Sequence, residues 1–133
     1  MAKTFDLKIV ASDKVFYEGV CEHLIIPAID GTMGILAGHE NTVTTIESGE
    51  LNFQVDGVWR KAAVTEGFIE IMPQEVILLV DTAELPEQID IKRAELAKER
   101  AKERMRQKQS MQEYYYTKAA LSRAMARLKV AQK

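Results

Sequence analysis

Four arginines stand at spacings that suit the gripping of an anion. Arg93 and Arg100 lie seven residues apart, so two helical turns would put both on one face. Arg123 and Arg127 lie four apart and would share a face in the same way. A guanidinium is a planar fork that takes phosphate or carboxylate oxygens in pairs. If two helices fold back on each other, four such groups can converge on one patch. Spacing alone fits a solvated basic face as well, and that is the commoner fate of a charged helix. Arg104, Arg106 and Lys108 read most simply that way, or as contacts to an acidic surface.

The other reactive residues argue against catalysis. Gly31, Gly34 and Gly38 cluster in GTMGILAGHEN, but the stretch lacks the Lys-Ser/Thr ending of a phosphate-binding P-loop and reads as turn glycines. His23 and His39 share no metal-ligand spacing with each other or with Cys21; His23 reads as a strand residue and His39 as a loop residue. No nucleophile, general base and orienting group assemble from these positions. The single Cys21 excludes an internal disulfide and fits a reducing compartment. The start, MAKTFDLKIV, has no long apolar stretch of the secretory kind. LIIPAI and VILLV are far shorter than the roughly 20 residues of a membrane-spanning helix. The expectation is a soluble, cytosolic chain that meets a membrane only through a complex.

What would position those arginines is legible in a shift of composition. All seven glycines fall at or before Gly67 and all three prolines at or before Pro86. A boundary is therefore expected near Ala83 to Gln88, with turn-rich structure over 1–86 and helical structure over 87–133. Charge divides at nearly the same place: residues 1–89 carry 5 basic against 15 acidic side chains, and residues 90–133 carry 13 against 5. Such a split means either that the halves attract each other or that the basic half meets another acidic partner.

In the first part FDLKIV alternates Phe5, Leu7 and Ile9 with polar neighbours, the period of a half-buried strand. VCEHLIIP, ELNFQV, VWRKAAV, FIEIM and VILLV read as further strands, and Asp56-Gly57 between two of them signals a two-residue hairpin. Many short antiparallel strands predict a β-sandwich or barrel. In the tail Asp90 is placed to cap one helix, and Ser110 with Glu113 forms a capping box for a second. The first helix has a thin apolar side of Ala94, Ala97, Ala101 and Met105; the second has Leu121, Ala124, Met125, Leu128 and Ala131. A short connection makes them an antiparallel hairpin. Of Tyr114, Tyr115 and Tyr116, which cannot share one helix face, at least one is expected to cover the β domain or a partner, or else one to pack in a core with the others exposed. The fold class is α+β, an antiparallel β-sandwich over 1–86 followed by a two-helix hairpin.

GTMGILAGH (Gly31 to His39), GFIEI (Gly67 to Ile71), IDIKRA (Ile89 to Ala94) and RAMARLKV (Arg123 to Val130) together resemble the epsilon subunit of bacterial F-type ATP synthase over essentially the whole chain. IDIKRA paired with RAMARL is the most specific part, matching the nucleotide-binding signature of ATP-sensing members. Ala37 stands where the family usually has Pro, and Glu66-Gly67 where it often has Gly-Gly.

The resemblance implies a rotor subunit rather than a catalyst, peripheral on the cytoplasmic face of the bacterial membrane. It implies a sandwich bound to the gamma subunit and the c-ring, with Gly31, Gly34, Gly38, His39 and Glu40 in the ring-facing loop. It implies a mobile hairpin that is permissive when folded down and blocks ATP hydrolysis when extended into the alpha/beta catalytic head. Carried over by motif, Glu84, Asp90, Arg93, Ala94, Arg100, Arg123 and Arg127 would hold one regulatory ATP, with or without Mg²⁺. Arg100, Arg104, Arg106 and Lys108 would form the inhibitory basic face. A helix that must detach cannot carry a large apolar face, which accounts for the alanines. Fully extended, residues 90–131 would span about 63 Å as helix. Two rival classes are a nucleic-acid-binding β module with a basic helical arm and a small hydrolase built on the Gly-rich loop. The acidic β part and its lack of an aromatic stacking platform speak against the first, and no nucleic-acid partner is expected.

Overall fold

A computed structural model describes residues 3–132. Ten strands come first: β1 Phe5–Val10, β2 Val15–Cys21, β3 His23–Ala28, β4 Gly31–Leu36, β5 Thr42–Ile46, β6 Gly49–Val55, β7 Val58–Val64, β8 Gly67–Ile71, β9 Glu75–Val80 and β10 Ala83–Glu84. A short 3₁₀ turn, Pro86–Gln88, leads to α1, Ile91–Met105, and α2, Met111–Ala131. The strands form two five-stranded sheets, in the orders β2-β1-β9-β8-β5 and β10-β7-β6-β3-β4. Pairing is antiparallel apart from β1 with β9, which run parallel.

Alternation builds the core, because successive side chains of a strand face opposite ways. Leu7, Ile9, Ile69, Ile71, Val76 and Leu78 face inward from the first sheet. Leu24, Ile26, Ile35, Leu51, Phe53, Ala62 and Val64 meet them from the second. The Asp56-Gly57 hairpin forms as the sequence predicts. Both residues take left-handed backbone angles, φ 52° and 74°, the conformation that a two-residue turn matching strand twist requires. At Gly67 a side chain is excluded by contact: a Cβ would lie 1.9 Å from the Leu79 carbonyl oxygen.

Three strand expectations need correction. VCEHLIIP is not one strand, because Glu22 separates β2 from β3 and the two lie in different sheets. The Gly31–Leu36 stretch is a strand, β4, rather than a chain of turns. It is an edge strand paired only to β3; Met33 and Ile35 turn inward while its other four residues, two of them the glycines that read as turns, stay exposed. Thr42–Ile46, also at an edge, is a strand the sequence reading left out.

The helices start where their caps put them. The Asp90 carboxylate accepts the Arg93 N–H at 3.0 Å, and the Ser110 hydroxyl accepts the Glu113 N–H at 3.2 Å. α1 packs against α2, and α2 in turn lies on β6 and β7. α2 therefore carries two stripes, not the single one predicted. Thr117 and Ala124 are buried, as are Ala126 and Val130, whereas Met125 is exposed. The apolar cluster joining hairpin to sandwich is small: Ala63, Ile89 and Val130, with Ala131 beside them. Polar links flank it. Lys129 pairs with Glu50 at 3.6 Å, and Lys61 donates to the Gln132 carbonyl at 2.7 Å. Ala63 shows why β7 breaks alternation near its end: Ala62 and Val64 face the core while Ala63 is covered by the hairpin cluster.

Candidate functional site: a cleft between the hairpin and the linker

The end of β10, the linker that follows it, the first turns of α1 and the stretch of α2 from Ala120 to Arg127 enclose a cleft of about 490 Å³. Its floor is alanine, namely Ala94 and Ala97 from α1 with Ala120 and Ala124 from α2. Alanine is a good helix former with no reach, so the helices stay formed while the space between them stays open. Around this floor stand Arg93 from α1, Arg123 and Arg127 from α2, Glu84 from β10, and Gln88 and Asp90 from the linker. The four-residue spacing of Arg123 and Arg127 puts them on one face, as expected.

Two of the three arginines hold acidic partners from the sandwich side. Arg127 donates through Nε to Glu84 Oε1 at 2.5 Å and through Nη2 to the Thr82 hydroxyl at 3.4 Å; both charged side chains are mostly covered. Arg123 donates through Nη1 to Glu66 Oε1 at 3.1 Å. Arg93 is exposed and has no carboxylate within ion-pair distance among the described residues.

Arg100 lines an adjoining cleft of about 510 Å³ with Arg104, Glu113, Tyr116 and Thr117. The two clefts share Ala97 and Ala120, so they form one groove along the helix pair. Arg104, Arg106 and Lys108 are all exposed near the hairpin tip, and Arg106 pairs with Glu103 at 3.0 Å. Tyr114, Tyr115 and Tyr116 are 39, 59 and 69 % exposed, so none covers the sandwich or enters a core. That corrects the expectation that one of them covers the sandwich or packs in a core: all three stand at the start of α2, ahead of its buried residues Thr117, Ala124, Ala126 and Val130.

Gly31 and Gly34 sit in β4 and Gly38 in the turn after it, all exposed; His39 follows, its Nδ1 2.8 Å from the Glu40 carbonyl. His23 is in β3, its ring tilted at 59° to that of Trp59 with 5.0 Å between centroids. No group of His, Cys, Asp or Glu suited to a metal occurs among the described residues. Burial pushes the Cys21 thiol and the Tyr17 hydroxyl up from their ordinary values, which makes both poorer nucleophiles at neutral pH.

Sequence reading missed Glu66, Gln88 and Thr82. Glu66 lies 57 positions from Arg123 and sits in no motif, so nothing local announces the pair. Gln88 carried a signal that went unread: three residues after Leu85, its side-chain oxygen accepts the Leu85 N–H at 2.9 Å and closes the turn.

The chain is thus a β-sandwich that carries a basic helical hairpin, with an arginine-lined cleft at the joint. The family described as ATP synthase, Delta/Epsilon chain, matches throughout, its beta-sandwich domain over residues 4–86 and its long alpha-helix domain over 87–132. The chain is 50% identical over 125 residues to the ATP synthase epsilon chain of Ruminiclostridium cellulolyticum, covering 94% of this chain and 93% of that one. It is 46% identical over 134 residues to that of Caldanaerobacter subterraneus subsp. tengcongensis, covering 100% and 97%. A chain of the Euglena gracilis mitochondrial ATP synthase, in an OSCP/F1/c-ring assembly, shares the fold with a TM-score of 0.82 at 24% identity, over 96% of this chain and 81% of that one. The chain belongs to the epsilon-chain family of ATP synthases. No helix among the described residues is long and apolar enough to cross a membrane.

Proposed function

We propose that this epsilon chain is a non-catalytic rotor subunit whose hairpin is held against the sandwich by ATP and, when released, inhibits ATP hydrolysis. The observation that carries the reading is the cleft: three arginines and an alanine floor, contributed by both helices and the linker, around about 490 Å³. Small-molecule sites occupy about 300–1,000 Å³, so the space suits one nucleotide. Arg93, Arg123 and Arg127 would neutralise a triphosphate, and Arg100 lies further along the same groove. Glu84, Gln88 and Asp90 supply acceptors of the kind an exocyclic amine of a base requires. Nothing in the groove positions a water for in-line attack, so binding without turnover is expected.

The sandwich would serve assembly. Val43, Phe68 and Leu79 lie exposed at 71, 59 and 53 % on the outer face of the first sheet, with Phe68 and Leu79 directly paired. An exposed apolar patch on a sheet marks a protein contact, and the gamma subunit is its proposed occupant. Strand β4 and the turn after it, Gly31 to Glu40, would meet the c-ring; the Euglena relative by fold comes from an assembly that contains one. Membrane association would follow from the complex alone, at the cytoplasmic face. The basic tip, Arg100, Arg104, Arg106 and Lys108, would engage acidic surfaces of the alpha/beta head in the extended state.

Because the ligand would touch both helices and the linker, it can bind well only to the docked hairpin. At a hundredfold excess over Kd it stabilises that state by about 2.7 kcal/mol. Calorimetry of the isolated chain with ATP, ADP and GTP tests the site. Saturable ATP binding that Arg93→Ala and Arg127→Ala each weaken at least tenfold is expected. Absence of ATP binding, or unchanged affinity in both variants, overturns the reading.

A further inference from the structure

We infer that Glu66 sets the affinity of the cleft, by competing with the nucleotide's phosphates for the Arg123 guanidinium; the inference rests on the ATP site proposed above. Arg123 lines the cleft, yet its Nη1 is 3.1 Å from a Glu66 carboxylate that stands outside the cleft wall. A guanidinium held by a carboxylate must give up or share that bond when a phosphate arrives, because both anions ask for the same fork of N–H donors. Arg123 is thus partly occupied before any ligand enters.

The carboxylate is presented from a fixed point. Glu66 lies between β7 and β8, where its carbonyl accepts the Asp81 N–H at 3.0 Å. On one side Thr65 accepts the Thr82 N–H through its hydroxyl at 2.8 Å; on the other, Gly67 lies too close to Leu79 for any side chain. The backbone at Glu66 therefore has little room to carry the side chain away. The pair itself is partly solvated, with Arg123 at 35 % and Glu66 at 44 % side-chain exposure. A pair of that kind holds without locking: it lowers affinity for a competing anion without closing the site. Glu84 plays a different part, since it lines the cleft itself.

The neighbouring pair Lys129–Glu50, at 3.6 Å, supplies an internal control. It too joins α2 to the sandwich through one carboxylate, but neither member lines the cleft. Glu50→Gln and Glu66→Gln remove the same charge and the same number of docking pairs. Only Glu66→Gln frees a cleft arginine.

The test is ATP calorimetry on the full chain, wild type against Glu66→Gln, Glu50→Gln, Arg123→Ala and the double variant Glu66→Gln/Arg123→Ala. Exposed ion pairs are worth an amount equivalent to about a 1.4- to 5-fold shift in a competing equilibrium. Loss of repulsion between carboxylate and polyphosphate adds to it, so Glu66→Gln should bind ATP at least about threefold tighter. Glu50→Gln should bind as wild type or slightly more weakly. In the Arg123→Ala background Glu66→Gln should give little or none of the gain, the non-additivity expected of residues in contact. Wild-type affinity in Glu66→Gln, an equal gain in Glu50→Gln, or a full gain without Arg123 overturns the inference while leaving the ATP site standing. If neither wild type nor Glu66→Gln binds ATP, the site reading itself is refuted and the inference with it.

Discussion

Replacing Val130 by Ala should loosen the hairpin without loosening the sandwich. Val130 is fully buried, but its partners are Ala63, Ile89 and Ala131 in a small cluster at the joint, apart from the main core. The change removes two methyl groups from a contact that exists only while α2 is docked. At about 0.8 kcal/mol per buried carbon, docking should weaken by about 1.6 kcal/mol, roughly a fifteenfold fall in the docked-to-undocked ratio. The same deletion inside the sandwich behaves otherwise: Leu78→Ala would open a cavity in the main core and destabilise the domain by about 2–5 kcal/mol. Native-state hydrogen exchange separates the two cases. In Val130→Ala the amides of α2 should exchange about fifteen times faster while those of β1, β8 and β9 keep their protection. If sandwich amides accelerate by the same factor, hairpin and sandwich unfold as one unit and the argument for an independently detachable hairpin fails.

A chain cut after Glu87 should stay folded, because the main apolar core lies entirely within residues 5–83; loss of β circular dichroism in that fragment would refute this. Ala97→Leu should fill the junction of the two clefts and cut ATP affinity at least tenfold while leaving helix content unchanged, and unaltered affinity by calorimetry would count against the groove as the binding site. Cys21 should be alkylated slowly in the native chain. Burial raises its thiol pKa, so less thiolate is present at a given pH, and the rate should keep rising past pH 9 rather than level off there. Alkylation of the native chain as fast as of a denatured one would contradict this.

Local chemistry was readable and long-range pairing was not. Asp56-Gly57, Asp90 and Ser110-Glu113 announced a turn and two helix starts because their hydrogen bonds close within three residues. The edge strands β4 and β5 escaped: the glycines of β4 read as turns although Met33 and Ile35 face inward, and in threonine-rich β5 the inward positions are only half-buried before Ile46. At the site, spacing placed Arg123 and Arg127 on one face, and the resemblance tied them to Arg93. That Arg100 lines the adjoining cleft depends on how α1 crosses α2, which no residue spacing encodes. Glu66 was invisible for a related reason: its role arises where a β-turn meets a helix 57 residues later.

The most direct measurement is the distance between a spin label at Ser12, on the sandwich, and one at Lys102, on the outer helix, in the reconstituted catalytic complex, read together with ATPase activity. With saturating ATP the account predicts one narrow, short-distance population and active hydrolysis. After ATP removal it predicts a second population tens of ångströms longer, whose fraction tracks the loss of hydrolysis when ATP is briefly restored. The same distance distribution at every ATP concentration would contradict an ATP-held hairpin.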